Sequence, residues 1–322
     1  AGRGTIKPQS GFNANADANT LYKAMKGLGT DEKTILQLLT SRSNAQRQQI
    51  KAAFKTLHGK DLAAELKSEL GGHFETVVLA LLDTPTMYDV NCLKHAMKGA
   101  GTSEKVLIHI LASRTCSEIQ AINAAYKQEC GKSLEEDVTG EVTGHFKELL
   151  VVLLQANRQQ GVQEANVQSD AKALFEAGEK KFGTDEEQFV TILGNRSAEH
   201  LRRVFAEYMK LSGFQIEESI QRETSGHLKE LMLAVVKCAR SVPAYLAECL
   251  YYAMKGAGTD DNTLIEIMVS RSEIDMLDIR AEFRRMFATS LYKMIKKRRL
   301  SSFVWEAHVE LDTCTNMILR VL

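Results

Sequence analysis

The chain has 322 residues, of which 44% are hydrophobic and 25% are charged, with 41 basic and 41 acidic side chains. A formal net charge of zero argues against constitutive binding to nucleic acid, which usually requires an excess of basic residues. Only three prolines occur, and their scarcity favours a helical protein because proline interrupts helices.

Signals for export or membrane insertion are not found in the sequence. The longest apolar runs have about six residues, whereas a membrane-spanning helix needs roughly 20. The first twelve residues lack the apolar core of a signal peptide. Six scattered cysteines without a CxxC pair are not typical of a disulfide framework or a structural zinc site. We therefore expect a cytoplasmic protein with reduced thiols.

A loop motif occurs four times. Its copies are MKGLGTDEKTIL from Met25, MKGAGTSEKVLI from Met97, EKKFGTDEEQFV from Glu179 and MKGAGTDDNTLI from Met254. The glycines that precede the threonines are 72, 82 and 75 residues apart: Gly29, Gly101, Gly183 and Gly258. An arginine follows each of them after 13 residues, at Arg42, Arg114, Arg196 and Arg271. The spacing predicts a fourfold repeat. We expect the arginines to bind helix-end carbonyls rather than a ligand.

Each repeat is predicted to contain about five helices. In the first, an apolar face ends near Gly27, and Thr30, Asn44 and Asp61 are the candidate N-caps of the next three helices. Apolar residues then recur at the i, i+3, i+4, i+7, i+8 spacing of a helix, at Phe74, Val77, Val78, Leu81 and Leu82. The same spacing recurs in the second and third repeats. The predicted fold class is all-α.

The repeats suggest the domain organisation. We expect a short N-terminal arm at 1–13, repeats at 14–84, 85–156, 169–242 and 243–322, and a polar linker at 157–168. The fourth repeat diverges from residue 296 onward.

A glutamate stands forty residues after three of the loop glycines, at Glu69, Glu141 and Glu223. Glycine loops can turn backbone carbonyls outward. Carbonyls with one carboxylate are hard oxygen ligands that suit Ca²⁺. Ordinary helix-connecting turns are the alternative. The loops match neither an EF-hand nor a P-loop, and no catalytic triad or metal-spaced histidine cluster is found in the sequence.

The four loops and their downstream glutamates resemble those of the annexins, over roughly Ala14 to Ile295. Segments such as LTSRSNAQRQ, LLVVLLQANR and AVVKCARSVPAYLAE are also similar. The resemblance implies a curved disc of four five-helix repeats with calcium loops on its convex face. It also implies reversible, calcium-dependent binding to anionic phospholipid, notably phosphatidylserine, without enzymatic activity. Partners would be anionic membranes, with possible self-association there and no nucleic acid. A calcium-independent helical scaffold for protein interactions is the alternative function.

The resemblance also implies particular calcium ligands, which are backbone carbonyls and one carboxylate in each of three repeats. They are Met25, Gly27, Gly29 and Glu69; Met97, Gly99, Gly101 and Glu141; and Gly178, Lys181, Gly183 and Glu223. Four side chains in the loops are predicted membrane contacts: Lys26, Lys98, Phe182 and Lys255.

The fourth repeat departs from this pattern because Arg298 replaces the glutamate, within the basic segment Lys296 to Arg299. We expect no calcium there and a weakened last helix. A histidine follows each ligand glutamate after four residues, at His73, His145 and His227. These histidines are either surface polar residues or a pH input. The positive end of a helix would lower their protonation midpoint.

Overall fold

A computed structural model describes residues 2–179 and 183–302 of the chain. This part contains 19 α-helices and no β-strand, which confirms the predicted all-α class. Lys181, Phe182 and the tail beyond residue 302, including the predicted weakening of the last helix, lie outside the described residues.

The helices follow one another in the repeating order that the sequence predicts. In the first repeat they are α1 (Ala14–Met25), α2 (Glu32–Leu39), α3 (Asn44–His58), α4 (Leu62–Glu69) and α5 (Gly72–Leu82). In the second they are α6 (Pro85–Ala96), α7 (Glu104–Ser113), α8 (Cys116–Cys130), α9 (Leu134–Glu141) and α10 (Gly144–Leu154). In the third they are α11 (Glu164–Gly178), α12 (Glu186–Asn195), α13 (Ala198–Ser212), α14 (Ile216–Glu223) and α15 (Gly226–Arg240). The fourth repeat provides α16 (Val242–Met254), α17 (Asp261–Arg271), α18 (Met276–Phe287) and α19 (Leu291–Ser302).

The chain divides into two compact units, each of which contains two repeats. One unit combines the first repeat with the fourth, and the other, residues 89–245, combines the second with the third. In the first unit, α5 packs against α17. In the second unit, α10 packs against α12 and α15 packs against α7. In each pairing, the fifth helix of one repeat contacts the second helix of the other.

The fifth helix of each repeat supplies much of the core. Phe74, Val77, Val78, Leu81 and Leu82, the five apolar residues predicted for α5, are all at most 6% exposed. Their spacing puts them on one face of the helix, where burial of each large side chain contributes about 1.5–3 kcal/mol. None of the described helices is long and apolar enough to cross a membrane.

Two of the predicted helix caps are wrong by one residue. Asp31, not Thr30, caps α2 by accepting from the Thr34 amide, and Ser43, not Asn44, caps α3. The prediction of Asp61 as the cap of α4 is confirmed. The Thr30 hydroxyl contacts Glu69 instead.

The repeated arginines bind carboxylates, so the prediction of helix-end carbonyls as their main partners is wrong. Arg42, Arg114 and Arg196 form two-pronged ion pairs with Asp17, Asp89 and Asp170, respectively, on the first helix of the repeat. Arg271 pairs instead with Asp275, four residues further on. Burial opposes the charge on Asp170, but hydrogen bonds from Arg196 and His200 lower the pKa of Asp170. The arginines therefore have a structural role, as expected.

The predicted linker and the N-terminal arm are both held by hydrogen bonds. In the linker, the partly buried Arg158 donates to the carbonyls of Leu193 and Arg196 at 2.7 and 2.8 Å, and α11 already begins at Glu164. In the arm, the amides of Thr5 and Ile6 donate to the Ser272 carbonyl. The arm is therefore docked on the fourth repeat.

Candidate functional site

Each candidate loop joins the first two helices of a repeat and is closed by one backbone hydrogen bond. The donor is the amide at the start of the second helix and the acceptor is a carbonyl near the end of the first: Asp31 to Ala24, Ser103 to Ala96, Asp185 to Ala177 and Asp260 to Ala253, at 2.7–3.0 Å. The third loop spans one residue more than the others. Gly178 therefore occupies the place that Met25 has in the first loop.

The glycines in these loops have a backbone conformation that other residues rarely adopt. Gly27 and Gly29 have φ of 115° and 87°, a region that a Cβ atom disfavours. Gly99, Gly101 and Gly183 are also in the positive region, whereas Gly258 is not. Gly27, Gly29, Gly99, Gly101 and Gly183 are all exposed.

In the first two repeats, the predicted glutamate ligand is held against its loop by a threonine. The Thr30 hydroxyl donates to Glu69 Oε2 at 2.9 Å, and the Thr102 hydroxyl donates to Glu141 Oε2 at 2.8 Å. Thr30 is the residue that was wrongly predicted to cap α2. The structure thus brings together a loop and a carboxylate that lie forty residues apart in the sequence.

The third repeat arranges the corresponding groups differently. The Thr184 hydroxyl donates to the backbone carbonyl of Glu223 at 3.0 Å. The Glu223 carboxylate instead accepts from the side chain of Arg222 at 2.8 Å, and Arg222 also contacts Glu179. In this conformation the carboxylate is bonded to its neighbour rather than to the loop threonine.

In the fourth repeat, an arginine occupies the position of the carboxylate. Nη1 of Arg298 donates to the carbonyl of Gly256 at 2.7 Å. Gly256 corresponds to Gly27 of the first loop, one of the predicted calcium ligands. A cation therefore contacts the fourth loop at the point where the other repeats are predicted to bind calcium.

The three histidines that follow the glutamates connect the paired repeats within each unit. His73 lies 3.4 Å from Asp261, His145 lies 3.9 Å from Glu186, and His227 lies 3.8 Å from Glu104. Each acid begins the second helix of the paired repeat, directly after a loop. In both units the two loops therefore lie on the same side. A hydrogen bond with Glu148 raises the pKa of His145, contrary to the lowering expected from the helix terminus.

The comparisons with known proteins agree with this geometry. The family model described as Annexin matches residues 16–81, 88–153, 169–235 and 245–307. Annexin A5 of Macaca fascicularis is 65% identical over 296 residues, covering 91% of this chain and 92% of that protein. The chain belongs to the annexin family. Solved structures of annexins support this assignment. That of chicken annexin V has a TM-score of 0.90 and 60% identity and covers 99% of both chains.

Calcium is the metal expected of an annexin, and the donor atoms of the first two loops fit it. The calcium-bound structure of annexin (Sm)1 is 30% identical, with a TM-score of 0.83 over 99% of this chain and 93% of that one. Within residues 2–179 and 183–302, no three His, Cys, Asp or Glu side chains cluster to hold a metal. The first two loops each offer one carboxylate and several carbonyls instead, which are hard oxygen donors suited to calcium. The fourth loop, which meets a guanidinium, does not fit. Calcium-dependent phospholipid binding is the general function of the family.

The predicted lysine contacts Lys26, Lys98 and Lys255 are exposed. Lys26 Nζ lies 5.7 Å from the ring centre of Tyr22. Lys255 Nζ lies 5.7 Å and 5.5 Å from the ring centres of Tyr251 and Tyr252. These cation–π arrangements hold both lysines against tyrosines of their own repeats.

Leu28, the residue at the tip of the first annexin loop, was not among the membrane contacts predicted from the sequence. Its side chain is fully exposed, although a leucine is usually at least partly buried. The signal was present in the sequence, since the second and fourth loops have alanine at this position. Leu28 is therefore an additional candidate for contact with an apolar surface.

Proposed function

We propose that this annexin binds anionic phospholipid, notably phosphatidylserine, reversibly and through calcium bridges at the loops of its first three repeats. In this proposal the loops lie on a convex face, as the family resemblance implies. The ligands would be the carbonyls of Met25, Gly27 and Gly29 with Glu69, their counterparts in the second repeat, and Gly178, Lys181 and Gly183 with Glu223. When bound, calcium would link these oxygens to oxygens of the lipid headgroup.

The observation that carries this proposal is the contact of Glu69 and Glu141 with the loop threonines at 2.9 and 2.8 Å. It keeps a carboxylate beside a glycine loop in which the backbone is already turned by positive φ angles. Both glutamates are exposed, so that lipid and water can reach them. Charge neutrality of the chain leaves little attraction to an anionic surface without added cations.

The side chains around the loops support contact with a membrane. Lys26 and Lys98 are exposed and can approach lipid phosphates, where each basic residue contributes about 1 kcal/mol. Leu28 at the tip of the first loop can enter the interfacial region. Phe182 and Lys255 are further proposed contacts. Because each unit has both of its loops on one side, one unit can engage the membrane at two places.

A vesicle co-sedimentation assay tests the proposal. Vesicles with and without phosphatidylserine are titrated with calcium and the bound protein is measured. We expect binding only with phosphatidylserine and calcium, and reversal by a chelator. Binding that persists unchanged in chelator would instead favour the calcium-independent scaffold. Chemical cross-linking with and without vesicles tests the proposed self-association on membranes.

The carboxylates are tested by the combined substitutions Glu69→Gln, Glu141→Gln and Glu223→Gln, which keep the side-chain shape but remove the charge. We expect these to abolish calcium-dependent binding. The matched control neutralises one other glutamate on each of the same three helices, at Glu65, Glu135 and Glu217. These contact Lys60, Gln155 and Arg240 rather than a loop. Wild-type calcium dependence in the first triple variant would refute the site assignment.

A further inference from the structure

The fourth loop has a cation that belongs to the chain itself. Arg298 on α19 stands forty residues after Gly258, at the position where the first three repeats have glutamate. Its guanidinium donates to the Gly256 carbonyl at 2.7 Å. The contact joins two segments 42 residues apart in the sequence, so it fixes the loop relative to the last described helix.

The conformation of the fourth loop also differs from that of the loops assigned to calcium. Gly256 retains the positive φ of its counterparts, at 121°, compared with 115° for Gly27 and 104° for Gly99. The second glycine, Gly258, is outside the positive region, whereas Gly29 and Gly101 are within it. Gly256, which contacts Arg298, thus keeps the positive φ of the other loops, whereas Gly258 does not.

The charges around this loop oppose a divalent cation. Arg298 places a guanidinium cation against the loop. Lys296 and Lys297 precede it on the same helix. The acid nearest in sequence, Asp260, accepts hydrogen bonds from the amide and hydroxyl of Thr263 as the cap of α17.

We infer that Arg298 is a tethered cation that replaces calcium at the fourth loop. It binds a carbonyl that would otherwise be a metal ligand, holds the loop in place without calcium, and excludes the ion. This inference rests on the proposed calcium assignment of the other loops. It implies that the fourth repeat is already ordered at calcium concentrations at which the other loops are empty.

The first test measures hydrogen exchange of the full-length protein in chelator. The reporter is the amide of Asp260, which donates across the loop to Ala253, and the amide of Asp31 is the internal control because it makes the equivalent bond to Ala24. We expect Arg298→Gln to accelerate exchange at Asp260 about tenfold, the ratio that corresponds to one hydrogen bond to a charged group, with no change at Asp31. The matched control, Lys297→Gln, removes the same charge from an exposed neighbour on the same helix and should leave Asp260 unchanged. Equal exchange in wild type and Arg298→Gln would overturn the inference.

The second test measures calcium stoichiometry by calorimetry and locates the ion by calcium-dependent protection of each loop. We expect Arg298→Glu to bind one additional calcium ion at the fourth loop, whereas the wild type and Arg298→Gln bind none there. Calcium-dependent protection of the fourth loop in wild type would overturn the inference. Loops one and two are the control in every variant. If they show no calcium-dependent protection, the proposed function fails, while the exchange measurement in chelator still decides the role of Arg298.

Discussion

The threonine hydroxyls beside Glu69 and Glu141 should control calcium affinity. The substitutions Thr30→Val and Thr102→Val keep the size and branching of the side chain and remove only the hydroxyl that donates to the carboxylate. Loss of a hydrogen bond that orients a metal ligand typically costs 10–100-fold in metal affinity. Both carboxylates are exposed, so water can replace the hydroxyl, and we expect the lower limit of about tenfold at each site.

This loss can be converted into a shift of vesicle binding. If three loops contribute equally to concerted binding, tenfold losses at two of them raise the calcium midpoint by the two-thirds power of ten, or about fivefold. The assay is calcium-titrated co-sedimentation with phosphatidylserine vesicles. Circular dichroism should be unchanged, because Asp31, and not Thr30, caps α2.

The third repeat provides the control for this prediction. Thr184 donates to the backbone carbonyl of Glu223 and not to its carboxylate, so Thr184→Val should shift the midpoint by less than about twofold. A double variant with a wild-type midpoint would refute the reasoning, as would a Thr184→Val variant with an equally large shift.

Three further predictions concern stability, pH and the tip of the first loop. Asp89→Ala removes the carboxylate partner of Arg114, whose side chain is 3% exposed. It should lower the free energy of unfolding, measured by urea denaturation, by about 3–5 kcal/mol. Asp278→Ala, which breaks the exposed pair with Arg3, should cost less than about 1 kcal/mol. Because the hydrogen bond with Glu148 raises the pKa of His145, its NMR titration midpoint should lie above the usual value of about 6.5, and Glu148→Gln should lower it. Equal midpoints in the wild type and in Glu148→Gln would contradict the role of this hydrogen bond. The stabilisation that the hydrogen bond contributes to folding is fully present below the unfolded pKa and is lost as pH rises through the folded pKa. Leu28→Ala should weaken vesicle binding about fivefold through loss of about 1 kcal/mol of apolar burial, whereas Leu211→Ala, at an exposed position on α13, should have no effect on co-sedimentation.

The helical framework was predictable because its signals are local. The apolar spacing from Phe74 to Leu82 identifies α5 without any knowledge of its partner. The caps of α2 and α3 were each misplaced by one residue, since two neighbouring polar side chains can both accept the first free amides of a helix. Such a choice depends on the conformation of the preceding loop, which a sequence pattern does not specify.

The partners of the four regularly spaced arginines and of Arg298 were not predictable in the same way. Asp17 is 25 residues from Arg42, and only the packing of two helices brings the charges together. For Arg298 the sequence revealed a missing carboxylate, and hence a lost ligand. That the guanidinium would reach the carbonyl of Gly256 depends on how α19 sits beside the fourth loop, which is a property of the folded repeat.

The arginine–aspartate pairs bear on how freely the loops can change. Asp17 lies in the first turn of α1 and Arg42 follows the end of α2, so the pair closes this helical hairpin at the end opposite its loop. The second and third repeats have the same arrangement. A hairpin fastened at its far end tolerates substitutions at its tip without separating. In the first three repeats, the ligands at the tips can therefore differ while the hairpin framework stays the same. The fourth repeat lacks this pair, because Arg271 binds Asp275 instead, and there Arg298 contacts the loop directly.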